Sequence, residues 1–194
     1  RAARLAIEPY PAHLVETVLV EGAGPARLRP IRPEDAKLVE TLVEEHMDAE
    51  DRRMRFFAPV KKLSRPQLAR LTQIDYDREM AFVCESLFMG VGLLGVVRLA
   101  ADPDRARAEF AIAVRSELKG IGLGRRLMVR ILDYAKARGI GEVYGEVMRE
   151  NRNMIELCRA LGFTLATPPD TPDLYRASLR PADWPGGPQA ACTP

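Results

Sequence analysis

The apolar positions of this chain fall into alternating runs and helical stripes, and their order outlines a fold. ETVLV (16–20) and ARLRPI (26–31) alternate on either side of the turn EGAGP, the pattern of a β-hairpin. Pro33 then opens a segment in which Ala36, Val39, Leu42 and Val43 share one helical face. AEDRRMRFF reads as a second helical piece, and Ser64 with Gln67 supplies a capping-box signature for SRPQLARLTQ. MAFVCES (80–86) and GVGLLGVVRLA (90–100) read as paired strands, and the turn DPDRARA leads on to the strand EFAIAV (109–114). Leu123, Leu127, Ile131 and Ala135 recur at helical spacing until Gly139 supplies a stop. GEVYGEV (141–147) predicts a further strand. Asn151 then precedes an amphipathic helix carrying Met154, Ile155, Leu157, Cys158 and Leu161, ended by Gly162. TLAT and LYRASL, on either side of PPDTPD, complete the strands, and the chain contains no internal repeat.

Composition narrows the class. With 194 residues, 47% apolar and 29% charged, the chain is long enough for one soluble globular domain with a full core. A net charge of +2 gives no sign of bulk nucleic-acid affinity. No window holds the roughly 18 unbroken apolar residues that a membrane helix needs, and no signal peptide is evident. Cys84, Cys158 and Cys192 are odd in number and lack metal spacing, which fits a reducing cytoplasm. His13 and His46 are too scattered for zinc, so no metal is expected. The first 14 residues, with Pro9 and Pro11, look like a linker, and RAARLAI begins without methionine, as a piece of a longer protein would. The expected division is a linker and N-terminal strand over 1–25, a globular domain over 26–180, and a Pro/Gly-rich disordered tail over 181–194.

Candidate chemistry centres on RSELKGIGLGRRLM (115–128), where Gly120, Gly122 and Gly124 stand between a strand and a helix. Glycine costs a helix about 1 kcal/mol relative to alanine, so its use here implies an unusual turn or a close ligand. Free N–H groups at a helix start, beside Arg125 and Arg126, suit a phosphate or pyrophosphate. A tight turn with solvated arginines is the plainer alternative. A P-loop is excluded by its spacing. A dinucleotide fingerprint is weakened because the third glycine comes one position early, although Glu142 lies at a plausible distance for the acidic follow-up.

The run Lys119-Gly120-Ile121-Gly122-Leu123-Gly124 resembles the pyrophosphate loop of the GNAT N-acetyltransferases, which use acyl-CoA. Lysine stands where that family more often has glutamine or arginine. Asn151, the helix after it and Leu161-Gly162-Phe163 resemble the family's second acyl-CoA motif. The resemblance implies an α/β (α+β) GNAT acyl-CoA N-acyltransferase fold, a central mixed, mostly antiparallel sheet with flanking helices. It also implies that the strands on either side of the glycine-loop helix splay apart to admit pantetheine. Carried onto this chain, Ile112 and Val114 would offer strand backbone to acetyl-CoA. Lys119, Gly120, Gly122, Leu123, Gly124, Arg125 and Arg126 would hold its pyrophosphate, and Asn151 would touch the pantetheine arm.

Acetyl transfer to an amine requires that the amine lose a proton, and a carboxylate within reach can take it. Alternation puts Glu109, Ala111 and Ala113 on one face, so the Glu109 carboxylate has room beside it for a substrate. In family members that acetylate proteins, a glutamate on this strand is the usual general base. Glu146 is the reserve candidate, and a structural ion pair of Glu109 with Arg98 is the competing reading. The family's usual acid tyrosine, eight positions into the Asn motif, is replaced by Cys158, a core-facing helix residue; Tyr144 and Tyr175 are other candidates.

IEPYPAHLVETV leading into LRPIRPED, and the segment 53–83, resemble the bacterial Pat-type protein lysine acetyltransferases. In those proteins a large NDP-forming acyl-CoA-synthetase-like region is fused to the GNAT domain. The implied reaction is transfer of acetyl from acetyl-CoA to a lysine of a protein such as acetyl-CoA synthetase or another AMP-forming acyl-CoA synthetase, in the cytoplasm. Neither nucleic acid nor membrane is an expected partner. A small-molecule amine acetyltransferase and a non-catalytic acyl-CoA-binding regulatory module are the alternatives.

Overall fold

The computed structural model describes residues 8–187. The alternation at the N-terminus forms the expected hairpin: β1 (Glu16–Val20) lies antiparallel to β2 (Gly24–Pro30), with Val20 opposite Gly24. Beyond it, β3 (Glu79–Ser86), β4 (Leu93–Ala101) and β5 (Arg107–Val114) continue the sheet antiparallel. β5 pairs in parallel with β6 (Glu142–Met148), whose other edge takes β8 (Leu174–Leu179) and then β7 (Thr164–Ala166). The resulting eight-stranded sheet has the order β1-β2-β3-β4-β5-β6-β8-β7, and β5/β6 is its single parallel junction among the described residues.

Helices cover both faces. α1 (Ala36–Glu45), α2 (Ala49–Phe56) and α3 (Arg65–Thr72) lie between β2 and β3 in the chain; α4 (Leu123–Ala137) links β5 to β6, and α5 (Arg152–Leu161) follows β6. Strand alternation feeds two apolar layers. Ala81, Val83, Val96 and Ala113 pack with Val39, Leu42 and Val43 of α1, while Phe82, Val97, Leu99 and Phe110 pack with Leu127, Met128 and Ile131 of α4. The capping box at Ser64 and Gln67 starts α3 as expected, with Gln67 N–H donating to Ser64 Oγ. Among the described residues no helix is long and apolar enough to cross a membrane.

The β5/β6 junction is short. Register pairing stops after Glu109↔Tyr144, and the strands diverge beyond it. Phe110 fills the space over Gly145 at that point: a Cβ on Gly145 would lie 2.5 Å from the Phe110 ring. The ring also meets Phe163 edge-on, with centroids 5.4 Å apart. A bulky residue opposite a glycine therefore marks where the sheet opens.

Three expectations change. The strand expected over 90–100 begins at Leu93, because Gly90 and Gly92 adopt positive φ in the preceding turn. The boundary expected at residue 26 separates nothing, since the β1–β2 hairpin belongs to the same sheet. The tail expected to be disordered from residue 181 is ordered through 187. Residues Pro181–Asp183 form a 3-10 turn, and Trp184 is buried against α4 with its indole N–H on Asp133 Oδ1 at 2.7 Å. One aromatic anchor outweighs the flanking prolines and glycines. Residues 1–7 of the expected linker and 188–194 of the tail lie outside the described residues.

Candidate active site

The glycine turn forms as the spacing implied. Gly120 and Gly122 adopt φ of 84° and 86°, and Gly122 is the N-cap of α4, with no side chain capping the helix. A Cβ at either position would meet nothing within 4 Å, so backbone conformation rather than crowding demands glycine here. No side-chain cap bonds the N-terminus of this 15-residue helix, and the space beside Gly120 and Gly122 is open. That arrangement suits an anion.

A groove of about 870 Å³ runs from this turn along β5 to the point where β5 and β6 diverge. Its floor is Glu109 to Val114, its far wall includes Glu146 and Asn151, and its near wall is α2 with Met54, Arg55 and Phe57. Of the residues expected at the site, Glu109, Ile112, Val114, Lys119, Gly120, Gly122, Gly124, Arg125 and Asn151 all border it. Beyond Glu109 the β5 backbone is unpaired on its β6 side.

Two of the residues expected at the site, Leu123 and Arg126, do not border the groove. Leu123 is 2% exposed and belongs to the core under α4. Arg126 donates instead to the carbonyl of Leu19 in the hairpin, at 2.7 Å. Each helical step rotates a side chain by about 100°, and the two arginines part: Arg125 borders the groove while Arg126 reaches the hairpin. Asn151 uses its Oδ1 to accept from Met154 N–H, capping α5.

Glu109 is exposed, with Ala111 and Ala113 on the same face of β5. It makes no hydrogen bond or ion pair of its own among the described residues. Arg98, the partner considered from sequence, donates to the carbonyl of Leu71 at 3.2 Å. Glu146 stands across the gap with Arg176 at 3.6 Å.

The candidate acids fare differently. Cys158 is fully buried, away from the groove, and burial pushes its thiol up to about 12. Tyr144, opposite Glu109 in register, lies under Arg107 and Arg176, whose guanidinium carbons sit 4.4 and 5.2 Å from the ring centroid. Desolvation and the Glu109 charge raise its hydroxyl pKa. Tyr175 accepts from Arg149 at 3.0 Å. Neither tyrosine lines the groove.

The sequence pattern did not reveal the contribution of α2. Lys119 Nζ donates to Asp51 Oδ1 at 2.7 Å, and Ser116 Oγ donates to Asp51 Oδ2 at 2.5 Å. Arg53 reaches over to Glu150 at 2.8 Å. Phe57 ends the helix with φ 58°, a left-handed conformation that is unfavourable for a residue with a side chain. These groups are 65 to 97 residues from their partners in sequence, so no local spacing announces them.

Comparison with known proteins agrees with this geometry. The acetyltransferase (GNAT) family model matches residues 38–163. An acetyltransferase of Pseudomonas aeruginosa is 32% identical over 157 residues, covering 78% of this chain and 83% of that protein. The crystal structure of the GNAT domain of S. lividans PAT aligns with a TM-score of 0.79 at 27% identity, over 89% of this chain and 99% of that one. The spermidine N-acetyltransferase of Vibrio cholerae, solved with CoA and spermine, shares the fold at a TM-score of 0.64 and 23% identity, over 81% of this chain and 96% of that one.

Proposed function

We propose, starting from the fact that this chain belongs to the acetyltransferase (GNAT) family and takes its acetyl group from acetyl-CoA, that its acceptor is a lysine of a protein. The acceptor class in view is an AMP-forming acyl-CoA synthetase such as acetyl-CoA synthetase, in the cytoplasm. A large acyl-CoA-synthetase-like region is the proposed neighbour in the full-length chain. The observation that carries the reading is Glu109, an exposed carboxylate with no hydrogen bond or ion pair among the described residues, standing beside two alanines where the groove opens. An open carboxylate of this kind can meet a lysine presented on a protein loop.

In the proposed reaction the α4 N-terminus, Lys119 and Arg125 hold the pyrophosphate, and the unpaired β5 backbone aligns pantetheine. A lysine has a pKa near about 10.4 and arrives charged, so Glu109 takes its proton, directly or through one water. The freed amine attacks the thioester carbonyl, the C–N bond forms, and the C–S bond breaks as the CoA thiolate leaves. Among the described residues no tyrosine or cysteine lines the groove, so in this reading the thiolate is protonated from water.

General-base catalysis contributes about 10²–10⁴-fold. Glu109→Gln is therefore expected to lower kcat by that order while acetyl-CoA affinity stays close to the parent's. The limb of the pH–rate profile that reports the base should flatten as well. The assay compares purified acetyl-CoA synthetase with a panel of small amines. Activity within threefold of the parent would pass the role to Glu146, and turnover of small amines alone would overturn the protein acceptor.

A further inference from the structure

Several basic residues close to the Glu109 end of the groove are engaged without lining it. Arg53 is paired with Glu150, Arg176 with Glu146, and Arg98 with the Leu71 carbonyl. Arg125 and Arg152 line the groove without a side-chain partner among the described residues, at the glycine turn and the start of α5, and so does Arg55, the residue before the end of α2. It borders the groove beside Glu109, and its guanidinium lies over the Phe56 ring with its carbon 4.7 Å from the centroid. Among the described residues it makes no hydrogen bond and no ion pair, Glu109 included, although the Glu109 charge is near enough to act on it.

Such a group is costly to leave unanswered. Arg55 is only partly open to solvent, and burial lowers its pKa to about 10, so it stays cationic at neutral pH. Arg98 adds a second positive charge beside it. The left-handed Phe57 and Met54 border the groove next to it, so apolar side chains flank the guanidinium on the α2 wall. The phosphates of the donor belong to the other end. Glu109 and Val114 are separated along β5 by about 3.3 Å per residue, and the pyrophosphate turn lies beyond Val114. The planar fork of an arginine matches a carboxylate in two parallel hydrogen bonds.

We propose that Arg55 is an acceptor-specificity residue that receives the carboxylate of an Asp or Glu two positions from the acetylated lysine. The proposal rests on the protein-lysine reading above. In an extended peptide, residues two apart point to the same side, about 7 Å from each other. A lysine directed at Glu109 would therefore bring such a carboxylate toward the α2 wall.

The test uses the whole chain, acetyl-CoA and three lysine peptides that differ only two positions from the lysine, carrying Glu, Gln or Arg. A charge-assisted hydrogen bond corresponds to about a tenfold preference for the Glu peptide over the Gln peptide in kcat/KM, expressed mainly in KM. Arg55→Gln should bring that ratio close to one, and R55E should shift the preference to the Arg peptide. Arg55→Lys retains the charge without the fork and should give an intermediate ratio, which keeps the proposal testable if R55Q folds poorly. Reading ratios removes any general loss of activity. A parent enzyme indifferent to the flanking charge, or an unchanged ratio in R55Q, would overturn the assignment while leaving the protein-lysine reading intact. If no peptide is acetylated but small amines are, that reading fails, and the role assigned to Arg55 fails with it.

Discussion

Gly122 begins α4 with φ of 86° and open space in front of it. A side chain there suffers twice: it strains the backbone, and it fills the position that an anion would occupy over the helix N-terminus. Gly122→Val is expected to lose most of the acetyl-CoA affinity, and calorimetry on the folded variant checks it; unchanged binding would remove the pyrophosphate from this turn. Cys158 illustrates the opposite kind of residue, one whose chemistry burial suppresses. Its thiol rises from 9.0 to about 12, so between those values the unfolded chain loses the proton and the folded chain keeps it. The unfolded state then binds fewer protons, and stability falls as pH climbs above about 9. Cys158→Ala should retain most of kcat and show a smaller loss of urea midpoint between pH 8 and pH 10 than the parent. A drop of several hundredfold in kcat, with folding and acetyl-CoA affinity intact, would bring the thiol back into the chemistry.

Among the α-helices, α2 stands apart because it has no buried residue of its own. Two ion pairs hold it at the groove: Asp51–Lys119 at the pyrophosphate end and Arg53–Glu150 on the far wall. The first of these competes with the donor, since Lys119 cannot serve Asp51 and a phosphate equally. Asp51→Asn frees Lys119 and removes a negative charge from the phosphate end. An ion pair of this exposure contributes up to about 1 kcal/mol, so a gain in acetyl-CoA affinity of about two- to fivefold is expected. The same change loosens α2, whose other end carries Arg55 and Phe57, so KM for the acceptor should rise. Weaker acetyl-CoA binding in titration calorimetry would show that Asp51 organises the turn instead of competing for Lys119. The helical character of 49–56 was readable from AEDRRMRFF, but its place was not. Its partners Ser116 and Glu150 come from segments whose proximity depends on the sheet being complete.

At the scale of the molecule, the C-terminal turn closes over α4. Trp184 is 6% exposed, with its indole on Asp133 and its carbonyl accepting from Lys136. Trp184→Ala is expected to destabilise the fold by about 3–5 kcal/mol, as other large-to-alanine core changes do. Chemical denaturation measures the loss, and acetyl-CoA affinity at low temperature should stay near the parent's, because this turn lies away from the groove. A loss below about 1 kcal/mol would mean that the tail is only loosely applied. The strands, the helices and the glycine turn were legible in sequence because each depends on local periodicity, on capping residues or on a backbone angle that glycine permits. Glu109 beside two alanines was legible for the same reason, since period-two alternation assigns faces without a partner strand. Exposure and pairing were not legible: Glu109 lies exposed, and Arg126 turns to the hairpin. Nor was the opening of the sheet, which depends on Phe110 meeting Gly145 across two strands, or the pairing of α2 with both ends of the groove. The sequence by itself determined which segments could bind an anion and which carboxylate had room around it, because those properties belong to single elements. Only the tertiary structure decided which charges remain unpaired along the groove, because pairing depends on distances between elements that the chain keeps far apart.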